Sequence, residues 1–197
     1  MVQRGLTLSL LAGLLLAIPA AADDKKKTET PDNVAEAMRM AGTPGEMHKK
    51  LEPLVGKWDV VMKMWQGPNQ PPSESKATAE TKWVMGGRFI RTAVTADFGG
   101  MKFEGVGVTG YDNLRKTYVG AWIDSMGTGI THSTGKVDDS GKIFTNTFEE
   151  IDPLTKQRTK KKEILKIIDA DNYEQTFFNV VGERETKEME ITAKRAK

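Results

Sequence analysis

The segment "FEGVGVTGYDNLRKTYVGAWID", residues 103–124, decides the fold expected for this chain. Two stretches of alternating residues flank the turn residues Asp112 to Arg115. Within each stretch the aromatic rings and the glycines occupy every second position, which is the period of a β-strand. A short polar loop between two such stretches is typical of an antiparallel hairpin. The segment therefore predicts two neighbouring strands that share one inner face: Phe103, Gly105, Gly107, Tyr118, Gly120 and Trp122.

The same alternation runs from Gly56 to the C-terminus and is broken by turn residues at short, even intervals. Segments spaced in this way favour an antiparallel up-and-down sheet that closes on itself, because closure removes exposed sheet edges. We predict an all-β protein, an antiparallel up-and-down barrel of about ten strands, preceded by one or two short N-terminal helices.

The first 22 residues have the layout of a secretory signal peptide. A positive charge at Arg4 precedes an apolar run from Leu6 to Ile18, and Ala20 to Ala22 form a small-residue cleavage site. The apolar run is shorter than the roughly 20 residues that a membrane span needs. We expect a periplasmic or secreted protein with no stable membrane insertion after cleavage; a retained N-terminal anchor is the alternative.

Residues 23–42 are expected to form a flexible leader and a short helix, and residues 43–197 a single barrel domain with its own N-terminal helix. Thr30 suits the N-cap of the first helix. Thr43 and Glu46 have the spacing of a capping box for the second.

Composition excludes several classes of function. The formal net charge is +2, so long-range attraction to nucleic acid is not indicated. The chain has no cysteine and only two histidines, which argues against disulfides and a zinc site. We expect no metal and no cofactor. The basic run at residues 156–163 is interpreted as a solvated strand face, since no aromatic residues interleave with it.

Strand registers inferred from the turns give one aromatic face. A four-residue loop at Asp112 to Arg115 sets Gly105 opposite Trp122, and a loop from Asp169 to Asn172 sets Ile168 opposite Tyr173. We predict that this face binds a small hydrophobic or amphipathic molecule inside the barrel, since an apolar cavity with few polar groups is how such sites are built. The predicted ligand-binding residues are Trp83, Arg88, Phe103, Tyr118, Trp122, Asp124, Phe144 and Phe148.

The polar members of this set have two interpretations. Asp124 is either a turn residue that accepts hydrogen bonds from local amides or an inward anchor for a ligand. Arg88, expected on the same face opposite Tyr111, would balance its charge. An enzyme with Asp124 as general acid or base is a further alternative.

Other catalytic motifs are weak. Ser125 and His132 would share a face with roughly 13 Å between them at strand rise, which is too far for a catalytic pair. "GVGVTG", residues 105–110, matches a dinucleotide-binding pattern, but no helix follows it. His48 is expected to form a surface pair with Glu52.

A rival function uses the outer face of the same strands. An apolar strip is expected to point outward there and to dimerise or bind another protein: Val106, Val108, Val119 and Ile123. A homodimer is the corresponding partner.

Five blocks together resemble an uncharacterised bacterial family, domain of unknown function 1579: "PGEMHKKLEPLVGKW", "WVMGGRFIR", "FEGVGVTGYDN", "YVGAWIDSMGTG" and "KEMEIT". The resemblance runs from about Thr43 to the C-terminus. It implies no activity, catalytic residue or cofactor.

Gly56-Lys57-Trp58 after a short helix is similar to the start of the first strand in lipocalin-like barrels. The chain departs from lipocalins in its strand count and in lacking disulfides. The function that this resemblance implies, binding of a small apolar or amphipathic molecule, is an analogy from fold.

Overall fold

The computed structural model describes residues 30–67 and 70–197. The predicted signal peptide and most of the leader lie outside the described residues. Two α-helices and a 3₁₀ helix precede the strands: α1 (Pro31–Gly42), α2 (Glu46–Lys49) and the 3₁₀ helix (Glu52–Leu54). The ten strands are β1 (Gly56–Met64), β2 (Ser73–Val84), β3 (Phe89–Phe98), β4 (Met101–Asp112), β5 (Thr117–Asp124), β6 (Thr131–Val137), β7 (Ile143–Ile151), β8 (Arg158–Ile167), β9 (Asn172–Val181) and β10 (Arg184–Arg195).

The strands form a closed antiparallel barrel in chain order, with β1 paired to both β2 and β10. The predicted all-β barrel of ten strands is confirmed. Closure leaves no free edge among these strands.

Strand alternation fixes which side chains point into the barrel. Trp58 and Tyr118 are each only 1% exposed, so their faces of β1 and β5 are the inner ones. Pairing carries this assignment around the wall. Turns at Gly86-Gly87 and Met126-Gly127 predict the pairs Trp83 with Ile90 and Trp122 with Thr131, and both pairs are confirmed.

Three of the registers expected from the turns are wrong. A loop from Asp138 to Gly141 was expected to set Gly135 opposite Phe144, but Phe144 pairs with Val137, a shift of two residues that leaves the ring on the inner face. Trp122 pairs with Gly107 rather than Gly105, a shift of two residues that leaves the ring on the inner face. Tyr173 pairs with Ile167 rather than Ile168, because the loop begins one residue earlier, where the Ile168 amide donates to the carbonyl of Asn172. A shift of one residue exchanges the two faces of a strand. The inner face of β8 therefore carries Lys161, Glu163, Leu165 and Ile167.

α2 and the 3₁₀ helix close one end of the barrel. The Trp58 indole donates to the carbonyl of Leu54 at 3.0 Å, and the Tyr118 hydroxyl donates to the carbonyl of Met47 at 2.7 Å. Burial raises the pKa of Tyr118 to about 12. Leu51, which lies between these two helices, is 1% exposed. We refer to residues 46–54 as the plug.

Gly56, the first residue of β1, has a φ of 143° and lies against Arg195. A Cβ there would collide with the Arg195 guanidinium, which lies over the Trp58 ring and donates to the carbonyls of Val55 and Pro53. The Gly-x-Trp sequence thus joins the helical plug to the first and last strands.

The prediction for His48 is wrong. The side chain is buried at 4% exposure and packs edge-on against Tyr111 instead of pairing with Glu52 on the surface. Its Nδ1 accepts from the Gly45 amide, so this pair caps α2 in place of the expected Thr43–Glu46 box. Burial lowers the pKa of His48.

α1 begins at the expected cap, where the Asn33 amide donates to the Thr30 hydroxyl. None of its residues is buried. At its C-terminal end the Asn113 side chain donates to the carbonyls of Met40, Ala41 and Thr43. This amide is the principal polar link between α1 and the barrel among the described residues.

Candidate functional site

The barrel interior consists of two unlike halves. The closed half, next to the plug, is a packed core in which each member is at most 8% exposed: Leu51, Leu54, Trp58, Val60, Ala77, Ala79, Ile90, Tyr118, Phe144, Leu165, Ile167, Tyr173 and Ala193. The open half comprises the inward-facing residues towards the other strand ends: Ala96, Phe103, Trp122, Asp124, Asn146, Phe148, Lys161, Glu163, Gln175, Phe177, Asn179 and Glu188.

The inner wall of the open half remains partly exposed. Glu163 lies in the middle of β8, and its inward neighbours Asn146 and Phe177 lie directly opposite on β7 and β9. All three are only partly buried. An inward side chain in the middle of a closed wall can meet solvent only through the lumen. The open half is therefore less tightly packed than the closed half.

One side of the open half is aromatic. A Cβ at Gly105 would overlap the Trp122 ring, and one at Gly107 would lie 3.0 Å from it, so this ring covers bare backbone on β4. Across the lumen, the Phe148 and Phe177 rings meet edge to face with centroids 6.4 Å apart. These rings form apolar walls.

The polar groups lie on the same wall as Phe148 and Phe177, because β8 runs between β7 and β9. Glu163 accepts hydrogen bonds from the Asn146 amide at 3.0 Å and the Gln175 amide at 2.5 Å. Burial raises the pKa of Glu163, and the two amides only partly oppose that effect.

Lys161 lies two residues towards the mouth on the same face. Its ammonium group contacts both carboxylate oxygens of Glu188, at 2.7 and 2.6 Å, and its side chain is 12% exposed. Glu188 occupies a register shift between Lys187 and Met189, a bulge that turns this carboxylate towards β8.

Two further polar groups face this space. Asp124 accepts from the Trp122 indole and from the Met126 amide, each at 2.8 Å. Both carboxylate oxygens are thus bonded, which fits the turn interpretation and keeps the group beside the ring. Asn179, opposite Lys161, has a buried Oδ1 with no hydrogen-bond partner among the described residues.

The structure divides the predicted ligand-binding residues between the two ends. Phe103, Trp122, Asp124 and Phe148 lie together in the open half. Tyr118 and Phe144 belong to the packed core of the closed half. Trp83 donates to Glu52 at 2.5 Å beside the plug.

Arg88 lies apart from Asp124. It is exposed in the β2–β3 turn at the closed end and donates to the carbonyl of Met85 at 3.0 Å. The two groups that were expected to balance each other lie at opposite ends of the barrel.

Sequence reasoning missed Lys161, Glu163, Gln175, Phe177 and Asn179. The one-residue error at the β8–β9 loop pointed Ile164 and Ile168 inward and placed Lys161 and Glu163 outside. The run "KKKEILKI" contains both alternations, so only the loop could have decided between them.

Ser125 and His132 do not form a catalytic pair. The Ser125 hydroxyl accepts from the Glu104 amide at 3.0 Å, while His132 is exposed opposite Ala121. The described residues hold no group of three or more histidines and carboxylates arranged to bind a metal. Among those residues, none of the helices has the length and hydropathy of a membrane span.

A concavity of about 750 Å³ borders β1 to β4. Its lining mixes outward residues such as Asp59 and Thr78 with inward residues such as Ala77 and Ala96. It is not enclosed by the polar groups of β8, and we do not assign the site to it.

The family model described as "Protein of unknown function (DUF1579)" matches residues 43–195. No curated protein sequence matches the chain.

Several solved structures are similar in fold. Rv2717c from M. tuberculosis is 15% identical with a TM-score of 0.58, and the alignment covers 79% of this chain and 100% of that one. A redesigned β-barrel is 11% identical with a TM-score of 0.38, covering 75% and 96%. A protein of unknown function from the DUF3598 family of Nostoc punctiforme PCC 73102 is 8% identical with a TM-score of 0.25, covering 78% and 100%. The first of these supports the barrel fold alone.

Proposed function

Since this chain belongs to the DUF1579 family, whose members are described as having unknown function, we propose its role from the barrel itself. The protein is an exported binding protein that holds a small amphipathic molecule in the open half. The N-terminal segment, with its charge, apolar run and alanine cleavage site, supports export.

The observation that carries this proposal is the contrast within one lumen. Trp122, Phe148 and Phe177 supply apolar contact, Glu163 and Lys161 supply polar contact, and all five residues are only partly buried. Ligand cavities are commonly lined in this way, by apolar rings with a few placed polar groups.

A filling variant tests the proposal. Ala96 faces the lumen between Ala77 and Phe103, whereas its neighbour Thr95 faces outward. We expect Ala96→Phe to weaken binding of lipids and metabolites by about tenfold or more, and Thr95→Phe to leave it unchanged. Equal effects of the two substitutions would place the binding outside the barrel.

Tryptophan fluorescence gives the readout. Trp122 lies in the open half, while Trp65 lies under the Lys187 ammonium group, 4.2 Å from it. We expect bound ligand to change the emission of the unmodified protein and of Trp65→Phe, but not of Trp122→Phe. Native mass spectrometry of protein from its own host identifies any molecule that is carried through purification.

A second function, dimerisation, is favoured by the outer face. Val106, Val108, Val119 and Ile123 all point outward on the paired strands β4 and β5, and Ile123 is 49% exposed. A dimer detected by light scattering that dissociates in Val119→Lys would support it. A monomer at all concentrations would rule it out.

A further inference from the structure

Hydrogen-bond donors and acceptors do not balance around Glu163. Both carboxylate oxygens accept from neutral amides, and no basic side chain among the described residues contacts them. Asn179, on the adjacent strand, presents a buried Oδ1 without a donor. A buried polar group without a partner costs free energy, so such groups are normally paired. The wall around Glu163 is therefore short of hydrogen-bond donors.

Charge is also unbalanced in the open half. Asp124, Glu163 and Glu188 face the lumen, and Glu150 continues the inward face of β7 to the mouth. Two cations oppose these four carboxylates on the described inner face of the open half: Lys161, which Glu188 binds through both oxygens, and Arg184 at the mouth of β10. The remaining carboxylates have no basic partner, so the lumen is net negative.

We propose that the molecule held in the open half carries a cationic ammonium group, which donates to Glu163 while its apolar part lies against Trp122, Phe148 and Phe177. This inference rests on the proposed function and names the chemical class of its ligand.

Two physical reasons favour a cation over a neutral donor. A hydrogen bond between an ammonium group and a carboxylate is shorter and about twice as strong as a neutral one. The faces of aromatic rings also attract cations, by about 0.5–2 kcal/mol depending on desolvation. A carboxylate-bearing ligand would meet Glu163 as a like charge in a lumen of low dielectric.

The test compares three amphiphiles that differ only in their head group: decylamine, decanol and decanoate. Each is titrated below its micelle concentration into the unmodified protein at neutral pH, with the change in total tryptophan emission as the readout. We expect decylamine to bind about tenfold or more tightly than decanol, and decanoate to bind weakest.

Matched variants locate the effect. Glu163→Gln removes the charge and retains an acceptor, and we expect it to weaken decylamine binding about tenfold without changing decanol binding. Glu174→Gln, on the exposed outer face of β9, is the control and should change neither. Circular dichroism confirms that each variant is folded. The order of affinity of the three amphiphiles is measured on the unmodified protein and does not depend on whether the variants fold.

The outcomes distinguish a failure of the cationic ligand from a failure of the binding function. Binding of decanol or decanoate as tight as that of decylamine, with the Ala96→Phe effect retained, would overturn the cationic ligand and leave the binding function standing. Absence of binding by all three amphiphiles and by the wider lipid and metabolite panel would overturn both.

Discussion

The closed and open halves of this barrel are built from the same alternating strands, yet they have opposite properties. In the closed half most inward positions hold a ring or an aliphatic chain packed against its neighbours, and Trp58, Tyr118 and Leu51 are almost fully buried. In the open half the inward positions include Glu163, Lys161 and Asn179, which are only partly buried. One half supplies stability and the other supplies a site, and both lie on the same continuous sheet.

The largest contrast is expected between one inward tryptophan of each half, Trp58 and Trp122. Trp58→Ala would leave a cavity in the packed half and should lower the free energy of unfolding by about 3–5 kcal/mol. Trp122→Ala removes a ring that already borders open space and should cost about 1–2 kcal/mol. Chemical denaturation measures both. Equal losses would mean that the two halves are packed alike.

A hydrogen bond to the plug should contribute a smaller amount to the free energy of unfolding of the closed half. Tyr118→Phe leaves the carbonyl of Met47 without its donor and should cost about 1–3 kcal/mol, measured in the same way. Tyr111→Phe is the control, because its hydroxyl forms no hydrogen bond among the described residues. A loss as large in the control would show that the Tyr118 hydroxyl does not anchor the plug.

Glu163 should make the open half a source of instability that depends on pH. Asn146 of β7 and Gln175 of β9 face its carboxyl, Lys161 follows on the same face, and Tyr173 lies nearby with a pKa raised by burial and by this charge. Because burial raises the pKa of Glu163, the folded state binds its proton more tightly than the unfolded state does. The contribution of Glu163 to folding stability is therefore fully present at low pH. It is lost as the pH rises from the pKa of this group in the unfolded state through its raised pKa in the folded state.

Glu163→Gln should remove that loss. We expect the melting temperature near neutral pH to rise by about 2–4 °C, the change produced by roughly 1 kcal/mol in a chain of this size. The difference from the unmodified protein should shrink as the pH falls towards 4.5. Glu174→Gln should show neither effect, and a stability gain that is constant with pH would contradict the assignment.

The smallest effect on global stability is expected at α1. Asn113→Ala removes the amide that links the last turn of α1 to the barrel, and none of the α1 residues is buried. The free energy of unfolding should change by less than about 0.5 kcal/mol. Tryptic cleavage after Arg39 should nevertheless become faster. Leu114→Ala, at the exposed neighbour, should leave the cleavage rate unchanged.

Sequence predicted the scaffold well because alternation is a local property. The ring positions in "YVGAWID" and the glycines opposite them were sufficient to place Trp122 inside, even though its partner was Gly107 rather than Gly105. A shift of two residues preserves the face.

The polar site could not be predicted in the same way. Which charged residues of β8 face inward depends on where the β8–β9 loop begins. The hydrogen bond from the Ile168 amide to the carbonyl of Asn172 sets that point one residue earlier than expected. The position of Glu188 depends on a bulge in β10 that no turn residue marks. His48 was misplaced for a related reason: α2 is a single turn, and its burial against Tyr111 is a tertiary contact.

A crystal structure of the protein purified from its own host tests the central contrast most directly. We expect ordered density of water or ligand between Trp122, Phe177 and Glu163, and none between Trp58 and Tyr118. Phe148 and Phe177 packed over Glu163 with no space between them would contradict the account, since the open half would then be a second solid core.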